Sequence, residues 1–268
     1  MMRVALRLKR RPRCCGLTLI EVMVTTFVLA LVLTTLLAMT SVTLRTTDRR
    51  QVEGTLHHRA RLAMDEVLLQ LRASDLVLPS RSIASLTYST NGSNIVFSSP
   101  GYAPSNTSVF LANVTDYVAF TYDTSDKTLR QTIGVGSGSV RPNRTSFRLA
   151  DKVSSLTFTY HVREQFKASG STTFTLSATP LAAPTAFVNG AAAFSSYDAA
   201  AKTVTVASAS SGADVQILYT ISPTANAGAA LAFVSQVDVT MVLSNTDGRN
   251  ITRPFTLNGS ARLRNKRT

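Results

Sequence analysis

Few residues in this chain have the type and spacing to do chemistry, and Glu21 stands out among them. It is followed by residues 22–44, twenty-three positions without a charge. A carboxylate inside lipid costs up to about 2.5–3.5 kcal/mol at mid-membrane, less near an end, and normally has a partner. Gly16 lies five positions upstream. If the chain is cut after Gly16, Leu17 gains a free amine, cationic at neutral pH because its ordinary pKa is about 8. A neighbouring copy's Glu21 could then neutralise that amine where the dielectric is low. Uncut, Glu21 would simply reach into the headgroups of a plain anchor. Cys14 and Cys15 precede Gly16, so the same cut would remove both thiols, as suits an extracytoplasmic domain held by burial alone. They do not read as a lipoprotein site, because Pro12 and Arg13, not an apolar run, precede them.

The other reactive groups lack company. His57 and His58 are adjacent on a helical pattern and His161 sits in an alternating one, so none has metal-ligand spacing and all three read as structural. Asp123 and Asp126 are carboxylates of the kind that hold calcium, but no Asp-x-Asp-x-Asp-Gly loop surrounds them. Tyr122-Asp123-x-x-x-Lys127-Thr128-Leu129 recurs as Tyr197-Asp198-x-x-x-Lys202-Thr203-Val204, which predicts two hairpins with Asx-type turns. The glycines of 134–138 read as a flexible loop, since a phosphate cradle would need a following Lys and a helix. No nucleophile-elbow motif selects a serine. The chain reads as a non-enzyme with no cofactor and no metal.

Composition narrows the class further. Arg3, Arg7, Lys9, Arg10, Arg11 and Arg13 open the sequence and Arg262, Arg264, Lys266 and Arg267 close it. Setting those ten aside leaves 18 basic against 15 acidic residues, so the formal charge of +13 falls to about +3 in the body. A nucleic-acid binder carries its excess charge on a folded face; charge at the ends argues against such a partner and leaves the tail from Arg262 to Lys266 as the one candidate patch. With 44% hydrophobic and 16% charged residues the chain is not disordered, and two cysteines cannot staple a small secreted scaffold.

Twenty-three uncharged residues at about 1.5 Å each span about 35 Å, enough to cross a hydrocarbon core of about 30 Å. The basic residues upstream place the N-terminus in the cytoplasm and everything from Arg45 outside, although Arg45, Arg49 and Arg50 weaken the asymmetry. A secretory signal has its small residues after the apolar run. Here Gly16 comes before it, so cleavage there would keep the apolar segment.

Helical periodicity then continues through Val52, Leu56, Ala60, Ala63, Val67 and Leu71. It predicts one helix from Leu17 to about Leu78, ended by Pro79, with a bend or local melting at Gly54. From Ile83 the period falls towards two. Strands are expected at 83–89 and 94–98 around the hairpin signal Asn91-Gly92, and at 117–122, 128–133, 153–162, 203–207, 215–221 and 233–243. A last strand at 251–257 pairs back through 245–248, with Pro254 marking an edge or bulge. The stretches rich in small residues at 178–196 and 207–213 read as connectors. The fold class expected is α+β: a very long N-terminal helix packed on a mostly antiparallel β domain. Four regions follow: a basic leader 1–16, a transmembrane half-helix 17–44, an amphipathic half-helix 45–78 and a β-rich domain 79–268 of one or two sheets.

The run Gly16-Leu17-Thr18-Leu19-Ile20-Glu21-Val22 resembles the cleavage and methylation motif of bacterial type IV pilins and type II secretion pseudopilins. Leu17 is the one departure, Phe being commoner there. The resemblance implies that prepilin peptidase cuts between Gly16 and Leu17 and methylates the Leu17 amine, and that Glu21 serves subunit assembly. Residues 80–268 more loosely resemble PilW-like minor pilins and J-type minor pseudopilins, through strands such as Leu156-Thr157-Phe158-Thr159-Tyr160 and the closing run from Phe255 to Asn265. This implies a single-pass inner-membrane subunit with its C-terminal domain in the periplasm or outside, which joins other minor and major pilins or pseudopilins at a filament tip and primes assembly by an ATPase-driven inner-membrane platform. A ligand-binding adhesin or DNA-uptake subunit and a simple anchored envelope protein are the competing readings.

Overall fold

The computed structural model describes residues 18–103, 106–224, 229–246 and 252–264. The chain divides into two units, Met1–Gly54 and Thr55–Thr268. Helix α1 (Leu19–Arg72) is followed by β1 (Leu76–Leu78), β2 (Ser80–Ile83), β3 (Leu86–Ser89), β4 (Ile95–Ala103), β5 (Asn106–Asp123), β6 (Thr128–Gly134), β7 (Arg144–Ala150) and β8 (Val153–Lys167). Then come β9 (Thr173–Thr175), β10 (Thr185–Val188), β11 (Ala191–Ala192), β12 (Phe194–Asp198), β13 (Thr203–Val206), β14 (Asp214–Ile221), a 3₁₀ turn Ala229–Phe233, β15 (Val234–Thr246) and β16 (Thr252–Arg262). The fold is α+β and mostly antiparallel, as expected.

The helix ends earlier than the pattern predicted. Ser74 donates its hydroxyl to the Leu71 carbonyl at 2.6 Å and Ala73 donates its N–H to the Leu69 carbonyl at 3.1 Å, which satisfies two of the four orphan carbonyls of the last turn. Leu76, Val77 and Leu78 then pair with Ser98, Phe97 and Val96 of β4. An apolar triplet fits either period, and here the open edge of β4 claimed it. Gly54 lies inside α1 with its hydrogen-bonded pattern intact, so the local melting expected there is absent.

The second unit holds two main sheets, ordered β1-β4-β5-β6-β7 and β11-β10-β14-β8-β15-β16. Ala60, Ala63, Met64, Val67 and Leu71 of α1 share one core with Phe97, Phe120 and Leu129 of the first sheet and Tyr160, Ile217 and Met241 of the second. Leu56 packs at its margin, whereas Val52, expected on the same face, is exposed. Strand β16 comes so close to α1 that a Cβ on Gly259 would lie 2.6 Å from the Leu68 Cδ1 atom. Gly259→Val should therefore cost about 1–3 kcal/mol by overpacking; a chemical-denaturation midpoint equal to that of the parent chain would refute this.

Several strand pairings depart from expectation. Segment 83–89 is not one strand paired with 94–98. It contributes to a separate β2–β3 hairpin that turns at Ala84 and Ser85, both with positive φ (48° and 68°). The 178–196 stretch is not a mere connector, for it carries β10, β11 and the start of β12. The β5–β6 and β15–β16 pairs form as predicted, with Pro254 on the outermost strand. The turn at 247–250 lies outside the described residues.

Candidate functional site

Gly16 and Leu17 lie outside the described residues; Thr18 and Glu21 lie within them and form a reciprocal cap. The Glu21 N–H faces the Thr18 hydroxyl at 3.4 Å while the Thr18 N–H faces the Glu21 carboxylate at 3.5 Å. Both contacts are long, but their pattern is that of a Thr-x-x-Glu capping box, which satisfies two orphan donors at a helix start and sets a carboxylate at the positive end of the helix dipole. The spacing was visible in the sequence, yet reading it only as a processing motif missed its local role.

Beyond the cap the helix is apolar and uncovered. Its large apolar side chains between Leu19 and Leu44 stand 46–82% exposed, and the apolar window is long enough to cross a membrane. Thr25, Thr26, Thr34, Thr35, Thr40, Ser41 and Thr43 all donate their hydroxyls to carbonyls three or four residues back in their own helix, at 2.8–3.0 Å. Seven hydroxyls thereby find acceptors within their own helix, as a lipid setting would require, and among the described residues of this stretch Glu21 is the side chain that keeps bonding capacity to spare. These threonines were legible as uncharged but not as self-satisfied.

The remaining candidates sit apart from this site and from one another. His57 packs against Phe255 with ring centroids 3.9 Å apart and the rings inclined at 57°, and His58 is exposed. The Asp123 carboxylate accepts from the Ser125 and Asp126 N–H groups at 3.0 and 3.3 Å, while Arg130 bonds Asp126 at 2.6 Å. Asp198 repeats the turn with Ala200 and Ala201 at 2.9 and 3.2 Å, and both Lys127 and Lys202 take φ 53°. Two Asx turns are what the repeated motif builds. The Ser125 hydroxyl first, then the Asp126 N–H, holds the Asp123 carboxyl below its usual range. Arg262 and Arg264 are exposed, Arg264 lies over the Phe110 ring at 4.4 Å, and Lys266 falls outside the described residues. Among the described residues no group of three His, Cys, Asp or Glu side chains could hold a metal.

His161 is engaged in a way the sequence did not show: its Nε2 lies 2.7 Å from the Asp238 carboxylate on the neighbouring strand. Burial pushes the Asp238 carboxyl up, but hydrogen bonds from Gln236, Ser260 and His161, with the His161 charge, more than reverse this and leave it below its ordinary 3.8. A carboxyl depressed in the folded state adds stability above its unfolded pKa and loses it as pH falls through the folded value. Acid unfolding below about pH 4 should therefore be shallower in Asp238→Asn, by less than about 1 kcal/mol because the pair is partly exposed. Identical thermal-melt profiles for parent and variant across that window would refute it.

The most heavily buried ionic group among the described residues was not foreseen either. Asp116 is fully buried in β5, where its two carboxylate oxygens accept from the Gly136 N–H at 2.8 Å and the Ser139 hydroxyl at 2.9 Å. The Arg141 Nε lies 3.2 Å away, within ion-pair range but off the line of a hydrogen bond. Its other nitrogens donate to Gln70 of α1 at 3.3 Å and Ser99 of β4 at 3.0 Å. The loop at 134–138 is thus a scaffold: a Cβ on Gly136 would lie 2.5 Å from the Thr115 carbonyl.

Comparison with known proteins bears on the N-terminal site alone. Residues 11–37 match the model described as the prokaryotic N-terminal methylation motif. No curated protein and no solved structure matches the chain. The matched segment contains Gly16, Leu17, the Thr18–Glu21 cap and the first half of the exposed apolar stretch, a context of processing by prepilin peptidase, membrane anchoring and pilin-type assembly. Over those 27 of its 268 residues the chain is similar to proteins of the prepilin type.

Proposed function

We propose that this chain is a minor pilin or pseudopilin whose leader, residues 1–16, is removed by prepilin peptidase between Gly16 and Leu17, with methylation of the new Leu17 amine. Residues 17–44 then hold the subunit in the inner membrane with the β domain outside, until it joins other minor and major subunits at a filament tip and primes their addition from the inner-membrane platform. Glu21 registers each stem against the Leu17 amine of its neighbour.

The observation that best supports this reading is the Thr18–Glu21 cap at the foot of a charge-free, unburied apolar helix, inside the matched motif. A carboxylate capped by a single long contact, 3.5 Å from the Thr18 N–H, keeps acceptor capacity for an arriving ammonium group. The test is the mass of the mature N-terminal peptide from cells with a working prepilin peptidase. It should begin at Leu17 and carry one methyl group. An intact chain beginning at Met1 in such cells would leave only the anchored envelope protein.

A further inference from the structure

We infer that the outer edge of β16, with the groove at its C-terminal end, is a strand-addition site for an extended segment of another polypeptide bearing a carboxylate beside an apolar side chain. The parity of the ladder fixes which backbone groups are free. The Leu263 N–H donates to Ser235 of the β15 side at 3.0 Å, so odd-numbered residues here turn inward to β15 and even-numbered ones turn outward. Pro254 agrees, since a residue without an N–H costs the ladder nothing at an outward position. The outward Arg264 N–H is taken by the Ser74 carbonyl at 3.2 Å.

Between those two stops, among the described residues, nothing pairs with the outward backbone of Thr256, Asn258, Ser260 and Arg262, and all four residues are exposed. They present a donor and an acceptor each along about 27 Å of strand from Pro254 to Arg262. Edge strands are usually blunted by charge, bulge or proline. Here the middle of the edge, Thr256 to Ser260, carries no charge and its register with β15 runs without a bulge.

The groove supplies the chemistry of the occupant. It has a volume of about 1000 Å³ and begins where β16 ends, lined by Arg262, Leu263, Arg163, Phe233, Leu218 and Phe187 among others. Phe233 and Leu218 are 41% and 38% exposed. Glu164 also borders it, but its carboxylate is taken by the Tyr219 hydroxyl and the Ser177 N–H, and Asp75 has a partner within the fold. Arg163 donates to Gln216 at 3.0 Å and, like Arg262, has no carboxylate partner among the described residues. Two guanidiniums beside exposed aromatic and aliphatic surface call for a carboxylate next to an apolar group, delivered by a chain whose backbone continues the sheet. Neither step depends on removal of the leader or on filament assembly.

The test uses the full chain in detergent micelles and a fluorescein-labelled nonapeptide of alternating threonine and valine ending in glutamate and leucine. Two controls accompany it: a twin with lysine for the glutamate, and a copy N-methylated at alternate backbone positions. Saturable binding is expected by fluorescence anisotropy, about tenfold weaker for each control. Asn258→Pro should weaken binding by about tenfold or more while leaving the β15 ladder, and so the unfolding midpoint, unchanged. Arg262→Glu should narrow or reverse the preference for glutamate over lysine. The N-methylated peptide needs no protein variant, so it decides the matter even if Asn258→Pro misfolds. Binding that ignores N-methylation, no preference between the glutamate and lysine peptides, or no saturable binding would each overturn the inference.

Discussion

Asp116→Ala should lower the unfolding free energy by about 3–5 kcal/mol, the usual cost of stripping one partner from a buried ion pair. Such a loss is a large share of the roughly 5–15 kcal/mol that holds a domain together. The geometry explains the size. Arg141 and Asp116 have side chains 1% and 0% exposed, so the guanidinium left behind would be a buried charge held only by Gln70, Ser99 and the face of the Tyr102 ring at 4.4 Å. The Gly136 N–H and the Ser139 hydroxyl would lose their acceptor as well. Replacing both members, Asp116→Ala with Arg141→Met, should cost markedly less than the sum of the two single changes, because it removes the stranded charge. Urea unfolding followed by circular dichroism measures all four species. A loss below about 1 kcal/mol for Asp116→Ala would show that the pair does not clasp α1 and β4 to the 134–141 loop.

That clasp could not be read from the sequence, and the reason is physical. Asp116 and Arg141 are 25 positions apart, and their partner Gln70 is farther still; no local period links them, and only folding brings them together. The legible features were local. The Asx turns at Asp123 and Asp198 depend on a side chain reaching amides two or three residues on, so five consecutive residues suffice to predict them. The apolar stem is likewise a property of composition.

Where two local signals competed, the sequence misled. Asn91-Gly92 is the stronger hairpin pair, yet the Asn91 side chain captures the Ser93 and Asn94 N–H groups at 2.8 Å and the Thr90 N–H bonds the Pro79 carbonyl at 2.9 Å. That ties the turn to the end of β1, while Ala84-Ser85, with no glycine, makes the two-residue hairpin. The amphipathic face of α1 was read correctly where sheets cover it and wrongly at Val52, since periodicity gives the direction of a face but not the extent of what packs on it.

Gly16→Val should abolish processing outright, leaving the full-length precursor with its six basic leader residues and no methyl group on Leu17. The expectation rests on where the helix starts. Thr18 caps α1 and Leu19 is its first residue, and the bond between Gly16 and Leu17 lies upstream of both in the sequence. Glycine leaves that backbone free and offers no side chain to obstruct approach, whereas valine adds a branched Cβ at the residue whose carbonyl must be attacked. Glu21→Val separates cleavage from assembly. It deletes one arm of the cap and the only acid in the apolar segment but leaves Gly16 and Leu17 unchanged, so the chain should still be shortened while its recovery with partner subunits falls at least about tenfold. That loss corresponds to about 1.4 kcal/mol or more of pairing between a carboxylate and an ammonium in lipid. Immunoblots for chain length, and co-purification from crosslinked membranes, read the two effects independently. A shortened Gly16→Val chain would sever the proposed cut from Gly16, and undiminished co-purification of Glu21→Val would remove the acid from the assembly step while leaving processing intact.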